Sequence, residues 1–185
     1  MKHLIAFMLM LMVAVPSPGP AQQPLTSDAA IERAWLFKAL ETAPTEETAT
    51  AIANQIWRFW FRQGPNQEAN RIMAKAMERR DARDFAGAIE QLDTLVEIAP
   101  DWAEAWNQRA TVLFFQEKDD NSLDDVEKVL ELEPKHFGAL AGKAVILMRQ
   151  GRMQLAQQAL RRAVDIHPWL KERGMLLPEP PGQKL

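Results

Sequence analysis

The chain has 185 residues, with 22 Lys and Arg against 25 Asp and Glu for a net charge of −3, and 47% of it is hydrophobic. That length and apolar content suit one domain with a core of its own, while the mildly acidic balance argues against a phosphate-binding surface. No cysteine is present, which excludes disulfides, thiol nucleophiles and thiolate metal sites; few glycines, no tyrosine and abundant Ala, Leu, Glu, Gln and Arg favour helix over strand.

At the N-terminus Met1, Lys2 and His3 precede an apolar run over residues 4–15, followed by Pro16, Ser17, Pro18, Gly19, Pro20 and Ala21. A basic head, a short apolar stretch and small residues make a secretory signal peptide of residues 1–21, with cleavage after Ala21. As a helix the run rises only about 18 Å against roughly 30 Å of hydrocarbon, which argues against a permanent span. Retention as an uncleaved anchor is the alternative. Without a cysteine at the cut no lipid anchor forms, so the mature chain is expected to be soluble, in the periplasm of a Gram-negative cell. Residues 22–27 read as a linker, with Ser27 or Asp28 capping the first helix.

Residues 28–65 read as a helical hairpin. Ile31, Trp35, Leu36, Ala39 and Leu40 recur at helical spacing up to Pro44, and Thr45 then caps a second helix that stops at Gly64 and Pro65. On that second helix Ile52, Ile56, Trp57, Trp60 and Phe61 share one face. Aromatics interleaved with Arg58 and Arg62 also occur in single-strand nucleic-acid sites and membrane-surface helices. The shared face favours a buried cap, expected to cover the exposed apolar side of the unit that follows.

From Gln67 onward Pro100, Pro134 and Pro168 close three segments of 34 residues each: 67–100, 101–134 and 135–168. Equivalent positions carry equivalent residues. Counting from 31 residues before each proline, position four is Ile72, Trp106 and Leu140, and position eight is Ala76, Ala110 and Ala144. Position twenty is Ala88, Ser122 and Ala156; position twenty-four is Leu92, Val126 and Leu160; position twenty-seven is Leu95, Val129 and Ala163. Small residues in register with large ones let two antiparallel helices approach, so each segment reads as a helical hairpin. This pattern resembles the tetratricopeptide repeat family, in its short exported bacterial form, whose unit carries W-x2-L-G-x2-Y, then A-x3-F, then P. The first segment departs most, with Arg79 in place of Tyr, and all three carry a base at position seven: Lys75, Arg109 and Lys143. The resemblance implies an all-α fold, a right-handed α-solenoid of three repeats behind a divergent N-terminal helical hairpin cap.

Charge divides between neighbouring repeats. Residues 101–134 hold ten acids and three bases, whereas 135–168 hold one acid and six bases. Solvated outer faces explain this, with Asp119, Asp120, Asp124, Asp125 and Glu127 exposed on one helix; a bipolar surface for steering or self-association is the alternative. Residues 169–177 read as a short helix folding back over the third repeat, and 178–185, rich in proline, as a disordered tail. His136 and His167 are expected in loops, and neither is spaced with carboxylates as a metal pair requires. With no phosphate loop, nucleophile elbow or zinc helix, the chain reads as a non-enzyme with no cofactor and no metal.

The resemblance also implies a concave groove lined by the first helix of each repeat. The residues at those positions are Asn70, Met73, Met77, Arg80 and Asp81; Glu104, Asn107, Thr111, Phe114 and Phe115; and Gly138, Ala141, Val145, Met148 and Arg149. The family's carboxylate clamp is absent, because Met73, Met77, Gln108, Gly138 and Gly142 stand at its positions. The groove is then mostly apolar, and at least one of Phe114 and Phe115 faces it unless the N-terminal hairpin or the C-terminal tail covers both. The implied function is a non-catalytic scaffold whose partner is another protein or peptide, with no nucleic acid and no stable membrane insertion. A structural part of an envelope assembly, docking through charged faces and the C-terminal end, is the alternative.

Overall fold

The computed structural model describes residues 25–178; the signal segment, the first half of the linker and all but the first residue of the tail expected from sequence lie outside them. Among the described residues eight α-helices follow one another in antiparallel pairs: α1 Ser27–Glu41, α2 Glu46–Phe61, α3 Gln67–Asp81, α4 Phe85–Ile98, α5 Ala103–Phe115, α6 Asp119–Leu132, α7 Phe137–Arg149 and α8 Met153–Ile166. A 3-10 turn, Lys171–Met175, stands where a short helix was expected. No strand occurs among the described residues. This is an all-α solenoid of helical hairpins.

The 34-residue period becomes a period of packing. Ala76, Ala110 and Ala144 are buried where paired helices cross, opposite Ala88, Ser122 and Ala156. Ser122 fits this small-residue position because its hydroxyl donates to the Ala110 carbonyl at 2.8 Å, so no buried polar atom is stranded. The turn inside each repeat also recurs. Arg83, Glu117 and Gly151 all hold a left-handed backbone, with φ of 60°, 59° and 74°. The following amides, of Asp84, Lys118 and Arg152, reach back to the carbonyls of Arg79, Leu113 and Leu147. This closes three equivalent Schellman ends, of which only the third has the residue that suits the conformation. The bases at position seven join repeats: Arg109 reaches Asp93 of the preceding hairpin at 3.0 Å, and Lys143 reaches Glu127 in the same way. Arg109 also forks onto Asp125, which is buried rather than exposed as its place in the acidic run implied.

The N-terminal hairpin does not behave as a cap on the first repeat. Leu36, Phe37 and Leu40 of α1 and Ile52, Ala53, Ile56, Phe59 and Trp60 of α2 share one core with Phe137, Leu140, Ala141 and Ala144 of α7 and Ala159, Leu160 and Ala163 of α8. Among the described hairpin residues Phe61 packs on the core of the first repeat, whose neighbour Trp102 donates its indole N–H to the Trp60 carbonyl at 2.9 Å. The hairpin therefore lies across the repeats and closes on the third, where α1 covers the apolar side that α8 presents. Polar links hold it there: Arg33 forks onto Glu133, the Trp169 indole donates to the Ala43 carbonyl at 2.9 Å, and Arg173 meets Glu46 at 3.1 Å. Because this face of α1 turns inward, Ile31 and Trp35 point the other way and stand 68% and 60% exposed. Thr26, one residue ahead of the expected cap, accepts from the Ala29 amide, while Thr45 caps α2 as expected.

A candidate partner-binding cleft

Docking α2 on the repeats leaves a cleft of about 570 Å³ between its outward side and a wall made by α5 and α7. Thr50, Ala53, Asn54 and Trp57 come from α2; Asn107, Thr111, Phe114 and Phe115 from α5; Gly138, Ala141, Gly142 and Val145 from α7. His167, Trp169, Lys171 and Glu172 close one end. Phe115 is 51% exposed and stacks on Phe85 with centroids 5.6 Å apart; Phe114 lies 6.0 Å away, under the Arg149 guanidinium at 4.4 Å. Arg149 is itself held by Asp119. The rings are thus propped from behind and open to the cleft, and the hairpin does not cover them.

Beneath the cleft runs a buried polar layer. Trp60 stacks on His136 with centroids 3.9 Å apart and planes 10° from parallel, and Trp57 meets the edges of both rings. The His136 Nδ1 accepts from the Ala139 amide as the N-cap of α7, leaving Nε2 to donate to Glu104 at 3.2 Å. Glu104 also accepts from Gln108 at 2.5 Å and Asn107 at 3.2 Å. Its carboxylate is wholly buried and fully partnered, which makes it a positioning group for α5 and α7, with no surface to offer a ligand. His136 and His167 both lie between helices, as expected, and both are buried there.

At Glu133, burial pushes the carboxyl pKa up, but the Arg33 guanidinium, the Lys135 amide and the Trp60 indole outweigh it, and the net direction is down. At His167 burial holds the imidazole below its usual value against the pull of Glu172.

Residues 108–168 match the tetratricopeptide repeat family. Across 133 residues the chain is 38% identical to a TPR repeat-containing protein of Rhizobium etli, covering 72% of this chain and 65% of that one. The chain contains a tetratricopeptide-repeat domain. Solved structures agree on the fold: the Sgt2 TPR domain from Aspergillus fumigatus superposes with a TM-score of 0.53 at 16% identity, over 56% of this chain and 68% of that one. The first TPR of Spaghetti (RPAP3), bound to an HSP90 peptide, gives 0.56 at 16% identity, over 57% of this chain and 84% of that one. The chain thus spans just under two thirds of the Rhizobium protein, and 29% of a small glutamine-rich tetratricopeptide repeat-containing protein of Mycosarcoma maydis that it also matches. Among the described residues no group of three or more His, Cys, Asp and Glu side chains is placed to hold a metal ion.

The tetratricopeptide-repeat geometry sorts the residues expected in the groove. Asn107, Thr111, Phe114, Phe115, Ala141, Val145, Gly138 and Arg80 line the cleft. Met73 is buried in the first-repeat core, with Met77 packed against it, and Met148 packs into the core shared with the hairpin. Glu104 is sealed as described, and Asn70 is exposed beside Gly64, away from the cleft. These five leave the site because Met73 and Met77 turn into or against the core of their own repeat, Met148 into the core shared with the hairpin and Glu104 into the polar layer with His136, while Asn70 is exposed elsewhere. The opposite wall, Thr50, Asn54 and Trp57, was missed. Its signal was the aromatic density of α2, beyond what covering one repeat needs, together with Gly138 and Gly142 one turn apart on α7.

Proposed function

We propose that this protein is a periplasmic scaffold that holds an extended, apolar segment of another protein in the cleft between α2 and the α5–α7 wall. The observation that carries the reading is the pair Phe114 and Phe115, propped open at a concave position of the central repeat. A large ring left half in water, as Phe115 is, is costly to solubility and common at binding hot spots. Around them Asn54, Thr50 and Thr111 supply amide and hydroxyl groups that suit the backbone of an extended chain, while Trp57 and Val145 suit its alternate side chains. The Spaghetti repeat was solved with the peptide SRMEEVD, which ends in acids. Here Met73, Met77, Gln108, Gly138 and Gly142 replace a cationic clamp, so the segment is held by its apolar side chains and a free C-terminus adds nothing. The leader pattern of residues 1–21 supports export.

The test is fluorescence anisotropy with labelled apolar peptides, each as free acid and as C-terminal amide. Both forms should bind equally, and Phe114→Ser with Phe115→Ser should weaken binding about 30-fold, the equivalent of about 2 kcal/mol, without lowering Tm. Unchanged binding in the double variant, or preference for the free acid, refutes the cleft. Fractionation should find a periplasmic form beginning near Gln22; a full-length form that stays with the membrane refutes the location.

A further inference from the structure

On the opposite side of α7 from the cleft, α6 and α8 face each other across a second groove, of about 490 Å³, floored by Leu147, Ala159 and Leu123. Its two walls are opposite in sign. Asp120, Asp124 and Glu127 follow one another at one-turn spacing along α6 and make one face acidic. Arg152 and Arg162 stand on the α8 side, with Leu155 between them 43% exposed. The walls do not neutralise each other within the chain. Among the described residues Asp124 and Arg162 have no hydrogen-bond or ion-pair partner, Arg152 reaches only the neutral Gln150 at 3.2 Å, and Asp120 accepts only from the Gln150 amide at 3.0 Å. Glu127 alone is matched, by Lys143 on the floor.

We propose that this groove is the interface at which two copies of the chain pair about a two-fold axis. With the axis along the groove, each α6 lies over the partner's α8, so four unmatched charges per copy meet their opposites and Leu155 and Leu123 are covered. An axis across the groove would set acid on acid. Charge therefore selects one orientation, and the surface is complementary to itself as an isologous contact requires. A uniformly acidic or basic segment is repelled by one wall or the other, whereas a second copy satisfies both. The pairing is independent of the cleft, which opens on the other side of α7.

Sedimentation velocity on the protein as recovered from cells, at about 100 µM, should show a closed dimer whose dissociation constant rises at least about tenfold between low and high salt. Asp120→Lys with Asp124→Lys makes both walls positive, and Arg152→Glu with Arg162→Glu makes both negative. Each variant alone should be monomeric, with helix content and Tm unchanged because the sites are exposed, and an equimolar mixture should dimerise again. Leu155→Ser should weaken the dimer without altering its salt dependence, and it serves if a charge variant does not fold. A parent that stays monomeric, a mixture that does not re-form dimers, or association that grows beyond two copies overturns the proposal.

Discussion

Replacing Gly138 by alanine tests where the N-terminal hairpin docks. A Cβ built on Gly138 would lie 2.5 Å from Cη2 and 2.8 Å from Cζ2 of Trp57, across the contact between α7 and α2. Neither side gives easily, because one is helix backbone and the other is an indole. Trp57 meets Trp60, His136 and Phe137 edge-on, with centroids 5.1, 5.3 and 5.5 Å away. Swinging it into the cleft forfeits contacts worth about 0.5 to 1.5 kcal/mol each, and keeping it forces α2 outward at an overpacking cost of about 1 to 3 kcal/mol. We expect Gly138→Ala to destabilise by about 2 kcal/mol, a fall in Tm of about 4 to 8 °C for a chain of this length. Trimming the other side, as Trp57→Leu, should cost stability alone yet remove most of the added cost of Gly138→Ala, a coupling readable by a double-mutant cycle. Urea denaturation followed by far-ultraviolet circular dichroism, with tryptophan fluorescence as second probe, supplies the four free energies. If Gly138→Ala melts like the parent, or the two effects simply add, the hairpin does not lie on α7 as described.

Three other predictions concern the scaffold. Ala144→Trp fills a helix crossing and should cost at least about 1 to 3 kcal/mol in thermal or chemical denaturation; parental melting would refute the alignment of the repeats. Glu117→Gly relieves a left-handed residue in a turn where the third repeat already has Gly151, and should leave Tm equal or raise stability by up to about 1 kcal/mol; a clear loss would refute the turn geometry. The carboxyl pKa of Glu133 lies below its ordinary 4.5, so its pairing with Arg33 stabilises the fold above that pH and is lost as pH falls through the folded value. Arg33→Met, which strands the carboxylate, should cost about 2 kcal/mol at neutral pH and much less in acid; a pH-independent loss would show that packing rather than charge is responsible.

Much of the scaffold was legible because a tetratricopeptide-type unit is built from short-range rules. Ala110 against Ser122, or Leu140 above Ala144, are contacts within one hairpin, and their repetition at a fixed interval announces them three times. Legibility fell where a contact was made once. Trp35 and Ile31 fit a helical stripe as well as Leu36 and Leu40 do, and nothing local says which stripe meets α8. Asp125 differs from its exposed neighbour Asp124 only in that Arg109 reaches it from the adjacent helix. His136 is the loop residue that its position indicated, and its burial was not legible because Trp60, from far along the chain, covers it.

The sequence by itself determined the helices, their pairing into three equivalent hairpins, the missing carboxylate clamp and the aromatic pair on α5, since each follows from residue type at fixed spacing along one helix or between neighbours. Tertiary structure alone decided that the N-terminal hairpin reaches past the first repeat to close on the third, taking Met148 into the shared core and supplying Trp57 as the far wall of the cleft, and that Met73, Met77 and Glu104 pack inward instead of lining a groove. The physical reason is complementarity of shape: an indole on α2 fits where Gly138 leaves α7 bare. That match joins residues some eighty positions apart and occurs once in the chain, so it leaves no period to read.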